Sequence, residues 1–131
     1  MTKLFKKRKE QEEMPPYLER IDELEKVSIV RLKGLITRDM IPIIEARIKA
    51  NRRMGSKIDK NVIVDFAKVE DVDSATVAFH IIHLEEFHAK GFEVGFININ
   101  AEMKALLELF KEKANFKVFG SENEAVKVLN R

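Results

Sequence analysis

The amino-acid sequence predicts an α/β domain, with a mixed sheet of four or five strands and helices packed against it. Beyond residue 34, short β-branched apolar segments alternate with longer segments that carry helix signals. Strands that are joined through helices run parallel and need helices to cover them. The length of 131 residues and a hydrophobic content of 45% suit a single domain with an ordinary core. Since the chain has no cysteine, disulfide scaffolds, thiolate zinc sites and cysteine nucleophiles are excluded.

Residues 1–16 are predicted to be a disordered basic leader in front of a folded domain over residues 17–131. The first nine residues hold five basic side chains and no acid, and Pro15 and Pro16 then remove two backbone donors. Because the whole chain has a net charge of +2, the remainder sums to −3 and is not basic. The leader either stays solvated or contacts nucleic acid or anionic lipid. The sequence has neither a signal peptide nor a membrane span, so we expect a cytoplasmic protein.

The first two strands are predicted to form a hairpin. Residues 17–22 alternate loosely between apolar and polar side chains, and residues 27–32 are rich in β-branched residues. The residues between them, Glu23 to Lys26, suit a turn. Gly34 is expected to end the second strand.

The next two elements are a helix and a central strand. The helix is predicted from about Asp39 to Met54, with Pro42 in its first turn, where a missing N–H costs nothing, and Gly55 just beyond its end. The strand covers residues 61–66, which form the short, branched, apolar run of a buried parallel strand.

The rest of the chain continues the alternation. A second helix is predicted over residues 74–89, with Gly91 in the left-handed position behind it. The elements that follow are a strand over residues 92–97, a helix over 101–114 and a strand over 116–119. Ser121 and Glu124 then have the spacing of a capping box, which opens the last helix.

The loop between the central strand and the second helix is the segment most suited to bind a partner, since it lies at the carboxyl edge of a parallel sheet. It contains Asp71, Asp73 and Ser74. Asp73 or Ser74 could accept a hydrogen bond from a first-turn amide, and capping alone would account for both residues. Alternatively, Ser74 accepts a phosphate, whose charge of roughly −1.5 to −2 is tolerated at a helix N-terminus. Phosphorylation would then act as a switch on partner binding.

Four stretches of the sequence carry a family resemblance. They are Val30 to Gly34, Val62 to Phe66 leading to Val72-Asp73-Ser74, Lys90 to Val94, and Ala125 to Leu129. Across residues 17–131 the chain resembles the sulfate transporter and anti-sigma factor antagonist (STAS) domain. Members of that family place a phosphorylatable serine or threonine directly after the aspartate of the second stretch, which is the position of Ser74.

The resemblance implies a non-enzymatic regulator of the anti-sigma factor antagonist type. Its partner would be a protein, an anti-sigma factor that is also a serine kinase, and phosphorylation by this kinase would abolish their binding. Ser74 is then the phosphoacceptor, with Thr76 as the alternative hydroxyl. The expected partner surface joins two neighbouring loops and comprises Thr37, Arg38, Asp39, Asp73, Ser74, Ala75 and Thr76.

Two departures from the family pattern leave a second function open. Ala75-Thr76-Val77 follows the serine where many antagonists have Ser/Thr-Gly-Leu, and Thr37 stands where many members have aspartate. The first departure is closer to the STAS domains of stressosome scaffolds and transporters. The alternative is therefore a scaffold or accessory domain of a stressosome-like assembly or of a membrane transporter, and a scaffold would form an oligomer.

Other kinds of site have less support. His80, His83 and His88 lie on one predicted helix, but without an HExxH motif or a further ligand at matched spacing we expect no metal. The first predicted helix ends in basic residues that complement its dipole, namely Arg47, Lys49, Arg52, Arg53 and Lys57. Without a phosphate-binding glycine motif, a basic patch interleaved with aromatics or a nucleophile–base pair, we expect no cofactor, no nucleic-acid partner and no enzyme activity. A metal or small-ligand site on the second helix remains the alternative of a different class.

Overall fold

The computed structural model describes residues 16–40, 42–43, 46, 60–110 and 116–131. Five strands in these ranges form one sheet in the order β1-β2-β3-β4-β5. The strands are β1 Leu18–Glu23, β2 Val27–Ile36, β3 Asn61–Val72, β4 Val94–Ile97 and β5 Phe116–Val118. The helices are α1 Ser74–Ala89, α2 Ala101–Glu108 and α3 Glu122–Leu129, with a 3-10 turn at Arg38–Met40. Since β1 is antiparallel to β2 and the other pairs are parallel, the predicted α/β class with a mixed sheet is confirmed.

β1 and β2 form the predicted hairpin at one edge of the sheet. Ile21 pairs with Val30, and the turn is closed by a 2.9 Å hydrogen bond from the Leu24 amide to the Val27 carbonyl. The register shifts once, near Leu18. The hairpin therefore supplies both the antiparallel edge strand and the first of the parallel strands.

The prediction that Gly34 ends the second strand is wrong. β2 continues to Ile36, and Gly34 lies within it at a φ of 72°. The pairing of β2 with β3 shifts register between Gly34 and Leu35, so the glycine allows a bulge whose backbone conformation other residues adopt only with strain. Because β2 continues, β3 also has a partner beyond Phe66, the predicted end of that strand, and runs to Val72.

The helix ends follow the sequence signals more closely. α1 has the predicted bounds, and Gly91 follows it with a φ of 88°. α2 begins at Ala101 as predicted, but its helical turns end at Glu108, and the next two amides bond carbonyls three residues back. β4 begins at Val94, two residues later than predicted.

Some predicted segments lie outside the described residues. These are residues 1–15 of the leader, residues 111–114 at the end of the third predicted helix, and most of the predicted helix from Asp39 to Met54. Of that helix, Pro42, Ile43 and Ala46 are described and helical. The 3-10 turn at Arg38–Met40 occupies its predicted start.

α3 begins with the predicted cap. The Ser121 hydroxyl accepts a 3.1 Å hydrogen bond from the Glu124 amide. The Glu124 carboxylate reaches back and accepts a 3.2 Å bond from the amide of Gly120, one residue before the cap. Both interactions satisfy amides that a helix start leaves without partners.

Apolar clusters cover both faces of the sheet, because alternate residues of each strand point to opposite faces. α1 and α2 pack on one face, where the buried residues are Leu32, Ile36, Phe66, Val72, Val77, Ile81, Leu84, Val94, Phe96, Met103 and Leu107. α3 packs on the other, where they are Val27, Ile29, Ile63, Ile97, Phe119, Ala125 and Leu129. The sheet is thus the middle layer, with α1 and α2 on one face and α3 on the other.

A charged network lies beside the α3 cluster. The Arg31 guanidinium donates 2.7 Å hydrogen bonds to Asp22, Asp65 and Glu122. Asp65 is only 6% exposed, and its other carboxylate oxygen accepts a 2.8 Å bond from the Asn98 side chain. One arginine of β2 therefore connects β1, β3 and α3.

Candidate functional site

Asp73 lies between β3 and α1 and caps the helix. One of its carboxylate oxygens accepts hydrogen bonds from the Thr76 amide at 2.9 Å and from the Thr76 hydroxyl at 2.6 Å. Its carbonyl accepts the bond from the Val77 amide at 3.1 Å, which begins the helical ladder. Of the two capping candidates in the sequence, Asp73 takes this role, and Ser74 is the first residue of the helix.

The second oxygen of Asp73 joins two loops. It accepts a 2.8 Å hydrogen bond from the backbone amide of Arg38, which begins the 3-10 turn after β2. This bond places Arg38 beside the N-terminus of α1, although 35 positions separate the two residues in sequence. The structure therefore brings together the two loops that hold the expected partner-binding residues.

The residues of the two loops differ in accessibility. Ser74, Ala75, Arg38 and Asp39 are exposed, whereas Thr37 and Asp73 are half-buried. Thr76 has no exposed surface, and its hydroxyl donates to Asp73. The Ser74 hydroxyl, by contrast, makes no hydrogen bond to any described residue.

Residues 37–39 and 71–76 form a rim at the carboxyl edge of the sheet, and the charged side chains of this rim are mostly acidic. Burial opposes ionisation of Asp73, but hydrogen bonds from Thr76 and from the Arg38 amide, with the positive charge of Arg38, lower its pKa below the usual range. Asp39 in the 3-10 turn and Asp71 near the end of β3 are also exposed acids. Within the described part of the chain, the guanidinium of Arg38 has no ion-pair partner. Ser74 therefore directly follows one carboxylate, with two further acids and the cation of Arg38 at the same edge of the sheet.

The cavities do not suggest a small-molecule site at this rim. A depression at the carboxyl edge of β3 and β4, bordered by Asp71 and Asn98, holds about 130 Å³, whereas small-ligand pockets hold roughly 300–1,000 Å³. A wider groove of about 550 Å³ lies between the hairpin and α3, and its Arg31 is already bonded to three carboxylates. Among the described residues, the surface around Ser74 is thus exposed and borders only this shallow depression.

The metal and membrane predictions concern other parts of the fold. Within the described ranges, no group of three or more metal-ligating side chains could hold an ion. His80, His83 and His88 lie on α1, where His88 is exposed and the side chains of the other two lie outside what is described. The basic residues predicted near the end of the first helix, from Arg47 to Lys57, also lie outside the described residues. None of the helices described here has the length and apolar character to cross a bilayer.

A family model decides the classification. The model of the STAS domain matches residues 19–125, which include β2 to β5, all of β1 except Leu18, and the start of α3. The chain belongs to the STAS domain family. Among curated proteins, none matches this STAS domain significantly.

Solved structures share the fold of this STAS domain at low sequence identity. A proposed anti-sigma factor antagonist of Thermotoga maritima is 15% identical over 86% of this chain and 94% of its own, with a TM-score of 0.70. The anti-sigma factor antagonist SpoIIAA in its unphosphorylated form is 18% identical over 83% and 94%, with a TM-score of 0.60. SpoIIAA of Bacillus in its phosphorylated form is 16% identical over 83% and 96%, with a TM-score of 0.58.

Sequence reasoning missed two features of the site. The hydrogen bond from Arg38 to Asp73 has no local signal, because it joins residues of different loops. The burial of Thr76 could have been anticipated from the apolar run that follows it, since the helical face that begins at Thr76 and Val77 continues to Ile81 and Leu84 in the core.

Proposed function

We propose that this STAS domain is a non-enzymatic, cytoplasmic regulator of the anti-sigma factor antagonist type. It binds a protein partner, an anti-sigma factor with serine kinase activity, through the loops at residues 37–39 and 73–76. Phosphorylation of Ser74 switches this binding off. The observation that carries the proposal is the exposed hydroxyl of Ser74, which bonds no described residue and lies where Asp73 joins two loops.

The geometry favours Ser74 over Thr76 as the phosphoacceptor. A phosphate on Ser74 breaks no hydrogen bond of the described structure, and it lies at the positive end of the α1 dipole. A phosphate on Thr76 would first require that a fully buried side chain leave the core and give up its bond to Asp73. The fold can therefore remain intact while the charge of the partner surface changes.

The comparison with SpoIIAA supports the same reading. That anti-sigma factor antagonist has been solved in an unphosphorylated and in a phosphorylated form, and both share the fold of this chain. A phosphate adds a charge of roughly −1.5 to −2. On a rim that already holds Asp39, Asp71 and Asp73, this charge repels a partner that docks against a neutral hydroxyl.

Binding by charge variants tests the proposal. Tagged protein with Ser74→Ala should capture a kinase from its own cells as well as the unmodified protein does, and Ser74→Asp should lose at least about tenfold in affinity, as one like-charge contact costs over 1 kcal/mol. The captured kinase should transfer phosphate from ATP to Ser74.

The matched control is Ser121→Asp, which adds the same charge at the start of α3, where aspartate is as good a cap as serine. This variant should bind like the unmodified protein. Equal binding by Ser74→Asp and Ser121→Asp would contradict the switch.

The alternative, a scaffold or accessory domain, rests on the departures at Thr37 and Ala75-Thr76-Val77. It predicts a stable assembly of many copies, or association with a transporter, without any need for modification of Ser74. Gel filtration distinguishes the two functions, since the free antagonist should elute near its mass of 15.2 kDa or as a small oligomer.

A further inference from the structure

The guanidinium of Arg38 has a specific role in the proposed switch. We propose that Arg38 binds the phosphate of phosphorylated Ser74, so that a phosphate–guanidinium bridge joins the turn after β2 to the start of α1. This inference rests on the proposed phosphorylation of Ser74 and adds the group that receives the phosphate within the same chain.

The covalent geometry places Arg38 within reach. Its amide nitrogen is 2.8 Å from a carboxylate oxygen of Asp73, the residue before Ser74. Adding the intervening bonds, the Cα atoms of Arg38 and Ser74 are at most about 12 Å apart. An extended arginine side chain spans roughly 7 Å, a phosphoserine side chain roughly 4 Å, and the hydrogen bond adds about 2.8 Å. The combined length of the two side chains and the hydrogen bond is therefore enough to span the distance between the two Cα atoms.

The charges of the two loops single out Arg38. Within residues 37–40 and 71–76, Arg38 is the one basic residue, and the acids are Asp39, Asp71 and Asp73. Its side chain is exposed, and the guanidinium has no ion-pair partner among the described residues. A phosphate offers it two negative charges and a bidentate geometry, which a single carboxylate such as Asp73 matches only in part.

The bridge makes the switch act on two groups at once. In the unmodified protein a partner meets an exposed neutral hydroxyl at Ser74 and an exposed positive charge at Arg38. After phosphorylation the phosphate on Ser74 and the guanidinium of Arg38 bind each other, so neither is available to the partner. The bond from the Arg38 amide to Asp73 already holds the two loops together, so the bridge reinforces an existing contact.

The test measures the second pKa of the phosphate by ³¹P NMR titration. Phosphoserine is incorporated at position 74 during synthesis of the full chain, so the result does not depend on a cellular kinase. Asp39, Asp71 and Asp73 raise this pKa above its usual value near 6, and Arg38 lowers it. In Arg38→Gln the pKa should be higher than in the unmodified sequence by about 0.5 to 1 pH unit, a small part of the effect that a desolvated opposite charge produces.

Two further variants make the result specific. Arg38→Lys keeps the charge without the planar fork and should give an intermediate pKa. Arg131→Gln removes an arginine at the other end of the sheet, where the neighbouring Asn130 bonds the Lys26 amide before β2, and should change nothing. Equal phosphate pKa values with Arg38 and with Arg38→Gln, or an equal rise in Arg131→Gln, would overturn the bridge.

The titration and the test of the proposed function can fail independently of each other. Absence of phosphate on Ser74 in cells would overturn the switch, whereas the titration reports the contact in a protein that carries the phosphate by construction. Melting curves of the unphosphorylated Arg38 variants should nearly coincide, because the exposed Arg38 side chain makes no hydrogen bond or ion pair to any described residue.

Discussion

The carboxylate of Asp73 connects the turn after β2 to the start of α1. One oxygen caps α1 through Thr76 and the other holds the amide of Arg38. Because Asp73 takes the cap, the exposed Ser74 hydroxyl is left without a hydrogen bond to any described residue. The sequence alone allows either residue to cap the helix, since both types are good caps and they are adjacent.

A second residue on which the fold depends is Gly95 in β4. A Cβ atom at this position would lie 2.6 Å from the ring of Phe119 and 3.1 Å from Leu129 of α3. Gly95→Ala should lower the free energy of unfolding by about 1–3 kcal/mol, because overpacking displaces the ring. Urea unfolding followed by circular dichroism measures the change.

The control for this prediction is Gly120→Ala. The nearest atom to a Cβ there is the Glu124 carboxylate at 3.4 Å, an ordinary contact with a flexible side chain. This variant should unfold within about 0.5 kcal/mol of the unmodified protein. A Gly95→Ala protein as stable as Gly120→Ala would contradict the close packing of β4 against α3.

At the scale of elements, the starts of the three helices and the glycine after α1 could be predicted, whereas the ends of β2 and β3 could not. The cap at Ser121 and the left-handed Gly91 depend on residues within one helical turn, so the sequence carries the whole signal. Gly34 carries the same local signal as a terminator, yet it lies in a bulge of β2. Whether a strand continues past such a glycine depends on the neighbouring strand, here the extension of β3 to Val72, which local sequence does not reveal.

The same extension positions the site. Leu35 pairs with Asp71 and Ile36 with Val72, so β2 and β3 end side by side. Their following loops therefore start at the same level, which brings the Arg38 amide to Asp73. Sequence reasoning placed both loops at the carboxyl edge of the sheet, but the hydrogen bond that joins them depends on this register.

At the scale of the whole molecule, Arg31 ties the sheet to its edge strand and to α3. Its partners Asp65 and Glu122 lie 34 and 91 positions away in the sequence, so no local motif indicates this network of ion pairs. Burial of Asp65 opposes its ionisation, but hydrogen bonds from Asn98, from the Ala67 amide and from Arg31 lower its pKa. A bond from Arg31, with a further one from Arg20, also lowers the pKa of Asp22.

These shifts predict how stability depends on pH. A carboxylate whose pKa is lower in the folded state stabilises the fold above its ordinary value near 3.8, and this contribution is lost as the pH falls. Arg31→Met should cost about 1–3 kcal/mol at pH 7, because Asp65 stays buried without its cation. The difference from the unmodified protein should shrink below about pH 4, where Asp65 of the variant is protonated. Urea unfolding at pH 7 and pH 3.5 measures both values.

Arg20→Met is the matched control for the network. Arg20 is 55% exposed in its side chain and also pairs with Asp22, so its loss should change stability by less than about 1 kcal/mol at either pH. A cost of Arg31→Met that is no larger, or that is the same at both pH values, would contradict a structural role for the buried pair.

The measurement that bears most directly on the account is the intact mass of the protein purified from its own cells under several growth conditions, with the modified peptide mapped. A switch at Ser74 predicts a fraction with the added mass of one phosphate, located on Ser74, while the buried Thr76 stays unmodified. A chain without phosphate under every condition, or with the phosphate on Thr76, would contradict the switch at Ser74.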